Sequence, residues 1–169
     1  MSIAELGSLG EFVGAIAVLI TLTYLAVQVR QAKKTLVRQN ERNLTSEMVS
    51  VTLRFVDSPE LPRIYLIGVA NWQDLTPEER VVLHAWLWSL FSPMEHATID
   101  RATGLFENEI INVYAEGMLN ILRTPGALQW YETNKSLFTQ QLQDYIAEML
   151  PKGHRTTFDV FGLEGPRVD

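Results

Sequence analysis

Residues 12 to 29 read FVGAIAVLITLTYLAVQV, and this uncharged run decides what kind of fold the chain adopts. At a helical rise of about 1.5 Å per residue it covers roughly 27 Å, close to the hydrocarbon thickness of a thin bilayer. No polar stripe divides Phe12 to Val27, as one would in an amphipathic helix lying on a soluble core. The run therefore predicts a transmembrane helix; the competing reading is a buried core helix.

The flanks supply a direction. Glu5 and Glu11 precede the run, whereas Arg30, Lys33, Lys34, Arg38 and Arg42 follow it. Basic residues concentrate on the cytoplasmic side of membrane helices, so the expectation is residues 1–11 outside, 12–29 spanning, and the rest inside. A cleaved signal peptide carries its basic residues ahead of the apolar run and small residues after it. Here Gln28, Val29 and Arg30 occupy the exit, so the segment is expected to be retained.

Working outward, no glycine or proline occurs from Ala15 to Asp57, and nothing forces the helix to stop at the membrane surface. One helix over about 8–56 is expected, roughly 70 Å long, with 30–57 as its cytoplasmic extension. Residues 30–43 are polar nearly all round. Val37, Leu44, Met48, Val51 and Phe55 then recur at sevens, fours and threes, the spacing of one buried helical face. The rest of the protein is expected to pack there.

Arg30, Lys34, Arg38 and Arg42 fall on every fourth residue and form a basic stripe. Headgroup contact accounts for Arg30, Lys33 and Lys34. Arg42 lies about 18 Å further along, beyond the roughly 8 Å screening length of physiological salt. A solvated face, an acidic partner, or the protein's own acidic body are the readings for the remainder. From Asp57 onward acidic side chains outnumber basic ones about two to one, a balance that disfavours nucleic acid as a partner.

The 169 residues allow one anchor and one modest domain, and they include no cysteine, which excludes disulfides, thiolate metal sites and cysteine nucleophiles. Ser58-Pro59-Glu60, Thr76-Pro77-Glu78-Glu79 and Thr124-Pro125 each place a capping hydroxyl before a proline, and Glu79 is spaced to close a capping box with Thr76. Helices are expected at about 59–69, 77–101, 107–122, 125–136 and 140–149. Loops are expected at Asn71–Leu75 and Thr103–Phe106, and no stretch alternates as a strand. The fold class is all-α: a transmembrane helix continuing into a long cytoplasmic helix, with a small bundle over 58–150 packed on its lower half.

VVLHAWLWSLF, residues 81–91, is apolar on nearly every side except at His84 and Ser89, and should be the central helix of the bundle. It is too short to span a bilayer. Trp86 and Trp88 point about 200° apart on such a helix, so either both pack in the core or one marks a partner surface. The end of the chain, PKGHRTTFDVFGLEGPRVD, is rich in glycine and proline and is expected to be an extended tail over 151–169. Its Phe158, Val160, Phe161 and Leu163 are more apolar than a solvated tail requires. Phe158 and Val160 would share a face if extended, docking on this domain or on a partner.

Catalytic patterns are sparse. The residues three before His84, His96 and His154 are Val81, Pro93 and Pro151, so the Glu-x-x-His pairs of a di-iron bundle are absent. His96 and Asp100, with Glu95 alongside, are spaced for a surface metal pair or an ordinary hydrogen bond. Glu107 and Glu109 point in different directions and suit no cooperating acid and base. No phosphate-cradling glycine loop or nucleophile elbow is present. No cofactor is expected.

The segments LGSLGEFVGAIAVLITLTYLAVQVRQ, Ser58-Pro59-Glu60-Leu61, LTPEER and TPGALQWYETNKSLFTQQLQDYI together resemble a widespread group of uncharacterised bacterial proteins, membrane-anchored and helical. The resemblance covers most of residues 6–149. Gln140-Gln141-Leu142 stands where members often carry an acidic and aromatic pair. The resemblance implies a bacterial inner-membrane location with one span, and carries over no activity and no catalytic residue.

The leading expectation is a non-catalytic accessory or scaffold subunit of a larger membrane complex, for example respiratory or photosynthetic. It would dock through the small residues Gly10, Gly14, Ala15 and Ala17, of which Gly10 and Gly14 have small-xxx-small spacing. A self-associating membrane sensor, pairing through Val37 to Phe55, is the second. A membrane-tethered enzyme with a site around His84 or His96 is the third and weakest.

Overall fold

The computed structural model describes residues 3–103 and 108–166. The expected Thr103–Phe106 loop lies, beyond Thr103 itself, outside the described residues, as do Glu107 and the side chain of Asp100. Among the described residues seven α-helices follow one another: α1 Ile3–Asp57, α2 Leu61–Ala70, α3 Pro77–Thr103, α4 Asn108–Leu122, α5 Pro125–Asn134, α6 Gln140–Met149 and α7 Thr157–Phe161. Among the described residues there is no strand. The chain divides into two compact units, Met1–Gln39 and Asn40–Asp169.

Among its described residues the first unit is helix alone. Thr21 and Thr23 turn their hydroxyls back to the carbonyls of Ala17 and Leu19, at 2.8 Å each, so the apolar run presents few polar groups outward. Its side chains are exposed throughout: Phe12 is 64%, Leu19 64% and Val29 68% accessible.

In the second unit, Leu44, Met48 and Val51 of α1 are buried, and Phe55 is half-buried against Tyr65 of α2 and Trp86 of α3. From Leu44 to Phe55, the face picked out by the spacing of apolar residues is therefore covered by the bundle, as expected. α3 contacts α2, α4 and α6, and α5 contacts α2 and α4. Leu83, Leu87 and Phe91 of α3 are fully buried, which makes it the central helix. α2 and α5 approach closely at two glycines: a Cβ on Gly126 would lie 2.0 Å from the Gly68 carbonyl oxygen.

The helix starts depart from expectation in two places. At Thr76 the capping box forms, with Glu79 N donating to Thr76 Oγ1 at 3.3 Å and Thr76 N donating to Glu79 Oε2 at 2.9 Å. α2, however, begins at Leu61 with Glu60 at its N-cap, because Pro62 rather than Pro59 takes the proline-tolerant first turn; Ser58 Oγ still accepts the Leu61 amide. Thr124 precedes α5, but its hydroxyl donates backward to the Ile121 carbonyl at 2.6 Å instead of capping forward. The 3-10 turns Trp72–Asp74 and Lys135–Leu137 replace parts of an expected loop and helix end.

The expected extended tail is also corrected. Leu150–Lys152 forms a 3-10 turn and Thr157–Phe161 is helical, capped by a box between Thr156 and Asp159, and closed by Gly162 in the left-handed region at φ 68°. Phe158 and Val160 therefore do not alternate along a strand. Arg123, almost wholly buried, holds the start of this segment by donating to the carbonyls of Leu150 and Arg155 while pairing with Glu116 at 2.7 Å. Tyr65 and Thr157 share a buried hydroxyl–hydroxyl bond of 2.6 Å.

Candidate functional site

The apolar run of α1 is the feature most in need of a partner. None of its most apolar window is buried, and α1 is long and apolar enough to cross a membrane. Gly10, Gly14 and Ala17 of α1 are exposed, and a Cβ added at Gly10 or Gly14 would meet nothing within 4 Å beyond its own stretch of helix. A neighbouring helix can approach there without displacing anything. Arg30, Lys33, Lys34 and Arg38 are exposed after the run, as a headgroup contact requires.

The four aromatic residues considered for partner contact separate into different roles. Trp86 packs between Phe55 and Tyr65, with ring centroids 5.1 and 5.2 Å away, and its buried Nε1 has no acceptor among the described residues. Trp88 stacks on Phe138 at 5.0 Å. Phe158 is 6% exposed and belongs to the core, so it is unavailable to a partner. Phe161 remains 54% exposed at the edge of Tyr65. Burial pushes the Tyr65 hydroxyl well above the ordinary tyrosine value, a rise that the Thr157 hydrogen bond partly offsets.

Two of the three histidines, His84 and His96, are engaged in the fold. Trp130, 1% exposed, donates its indole N–H to His84 Nδ1 at 3.0 Å. Since an indole only donates, that nitrogen carries no proton and its lone pair is taken. His96 Nδ1 lies 3.0 Å from the Ser92 carbonyl, which only accepts, so here the proton sits on Nδ1. Twelve positions on one helix separate the two rings by about 18 Å, too far to act on one substrate atom. Glu95 does not join His96 in a metal pair: its carboxylate accepts the Thr139 amide at the start of α6, at 2.5 Å. Among the described residues no cluster of three or more acidic or histidine side chains is placed to hold a metal.

Other charged groups serve local structure. Glu79 is held below the usual glutamate range by the Thr76 amide and then by Arg63, whose guanidinium is in turn held above its usual value by Glu79 and Glu60.

A groove of about 380 Å3 separates the Asn40–Asp57 part of α1 from α3. Leu44, Pro93 and Ala97 form its apolar floor. The small Ala97 and the ring of Pro93 leave the space that a longer side chain would fill. Asn40, Asn43 and Glu47 stand on one rim, Ser92 and His96 on the other. Sequence reasoning missed this groove; the mid-helix Pro93 was its available signal.

No protein-family model, curated protein or solved structure matches the chain.

Proposed function

We propose that the chain is a non-catalytic accessory or scaffold protein of a bacterial inner membrane. In this reading the apolar run of α1 crosses the bilayer, the N-terminus lies outside, and the helical body sits in the cytoplasm. The protein docks laterally on a larger membrane complex through Gly10, Gly14 and Ala17. One observation carries the proposal: eighteen consecutive uncharged residues, Phe12 to Val29, are exposed on every side of a single helix. Burying an apolar side chain of this size is worth about 1.5–3 kcal/mol, so a surface of that extent is stable only against lipid or protein.

The flanking charges support the orientation, and the resemblance of the N-terminal segment to bacterial anchored proteins supports the location. The engagement of His84 and Glu95 in packing and capping supports a structural body over an enzyme.

The test is purification of the tagged full-length chain in mild detergent, with identification of every protein that accompanies it. A stoichiometric membrane partner is expected, with at least fivefold lower recovery from Gly14→Leu. A chain that purifies alone from native membranes, or one whose partner is indifferent to Gly14→Leu, contradicts lateral docking through this face.

A further inference from the structure

We infer that the groove between α1 and α3 receives Arg42 from a second copy of this chain, so that two copies pair through the side of α1 that the body leaves uncovered. The inference rests on the transmembrane reading, because a shared membrane makes neighbouring α1 helices parallel.

Of the face from Val37 to Phe55 that sequence spacing offers for self-pairing, the part from Leu44 onward is occupied by the protein's own bundle, since Leu44, Met48 and Val51 are buried. A second copy must therefore meet the side left uncovered, which begins at the groove rim. There Asn43, Ser46, Ser50 and Leu53 recur at intervals of three, four and three, and all are exposed. That is the a/d spacing of a parallel helix pair. The small Ser46 and Ser50 permit close approach, and an asparagine at an a position sets register and favours one oligomeric state.

With Asn43 and Ser46 at a and d, Arg42 falls at g and Glu47 at the following e. Those positions face one another across a parallel pair. Both side chains are exposed, and neither forms an ion pair among the described residues. Two-fold symmetry makes the contact twice, Arg42 to Glu47 in each direction.

The groove suits the guanidinium chemically. Glu47 supplies a carboxylate on the near rim, and Asn43 beside it carries a carboxamide. On the far rim His96 has its Nδ1 proton committed to Ser92, which leaves the Nε2 lone pair as an acceptor. The floor of Leu44 and Pro93 accommodates the aliphatic stem of an arginine. In the accessory reading, the pair rather than the single chain is the unit that docks.

Because the sequence contains no cysteine, a Ser46→Cys variant carries one thiol. Oxidative crosslinking in native membrane vesicles is expected to give a covalent dimer with Ser46→Cys and none with Val113→Cys, which is exposed on α4. Adding Arg42→Glu or Glu47→Arg alone should cut the dimer at least fivefold, and the two together should restore it. The absence of a Ser46→Cys dimer, or failure of the double swap to restore it, overturns the inference. Carbonate extraction of the same vesicles separates the two readings: a chain retained in the membrane but not crosslinked defeats pairing alone, while an extracted chain defeats the anchoring on which pairing rests.

Discussion

Leu19 and Leu83 are the same residue, each within an apolar helical run, yet Leu19 is 64% exposed and Leu83 is completely buried. The difference lies in what surrounds them. Leu83 sits on a helix that contacts α2, α4 and α6, so its side chain leaves water on folding. Around Leu19 the chain supplies nothing, and the environment must supply what the fold does not. The run over 81–91 also contains His84, which finds a hydrogen-bonding partner only because Trp130 is brought to it. In the run over 12–29 the two threonines bond to carbonyls of their own helix, and the other polar side chains, Tyr24 and Gln28, lie in its half nearer the basic flank. An apolar run with an embedded, partnered polar residue suits a protein core; one whose polar atoms are satisfied internally suits lipid.

The largest effect that sharpens this contrast is expected at Trp130. It is packed against Phe91 at 5.3 Å and bonded to His84, so Trp130→Ala should destabilise the body by about 3–5 kcal/mol. Chemical denaturation followed by circular dichroism measures the loss, and membrane retention should be unchanged. A loss under about 1 kcal/mol would mean that this core is not held as described.

Next comes Tyr65. Tyr65→Phe removes the bond to Thr157 and should cost about 1 kcal/mol at neutral pH. The same substitution alters alkaline stability. Since burial raises the folded-state pKa, the unfolded chain ionises first; the contribution is complete below about pH 10 and is lost as pH rises above it. Tyr131 is raised in the same direction, by burial and then by Glu132 and Asp144, so Tyr65→Phe should reduce the alkaline slope without abolishing it. An unchanged slope would remove Tyr65 from the account.

The smallest effect is expected at Leu19. Leu19→Ala should leave denaturation of the body within about 0.5 kcal/mol of the parent chain, because nothing in the fold covers that side chain. A large shift would show that the run takes part in the body's core after all.

Much of this contrast was legible in the residues themselves. The breaker-free run to Asp57, the central helix over 81–91 and the Thr76–Glu79 capping box each rest on local chemistry, which the fold preserves. Two expectations fail. The start at Ser58-Pro59 gives way to one in which Pro62 takes the first turn. The tail, expected to be extended for its glycine and proline content, holds a helix that Thr156 and Asp159 cap. The close approach of Gly68 and Gly126 and the Arg123 clamp depend on residues far apart in sequence, and no local pattern announced them; of the α1–α3 groove only Pro93 gave a local sign.

The most direct test of the anchoring claim is alkaline carbonate extraction of membranes carrying the full-length chain. The account predicts that the protein stays in the membrane pellet. Release into the supernatant would contradict it, because an exposed run from Phe12 to Val29 would then need a protein rather than a bilayer to cover it.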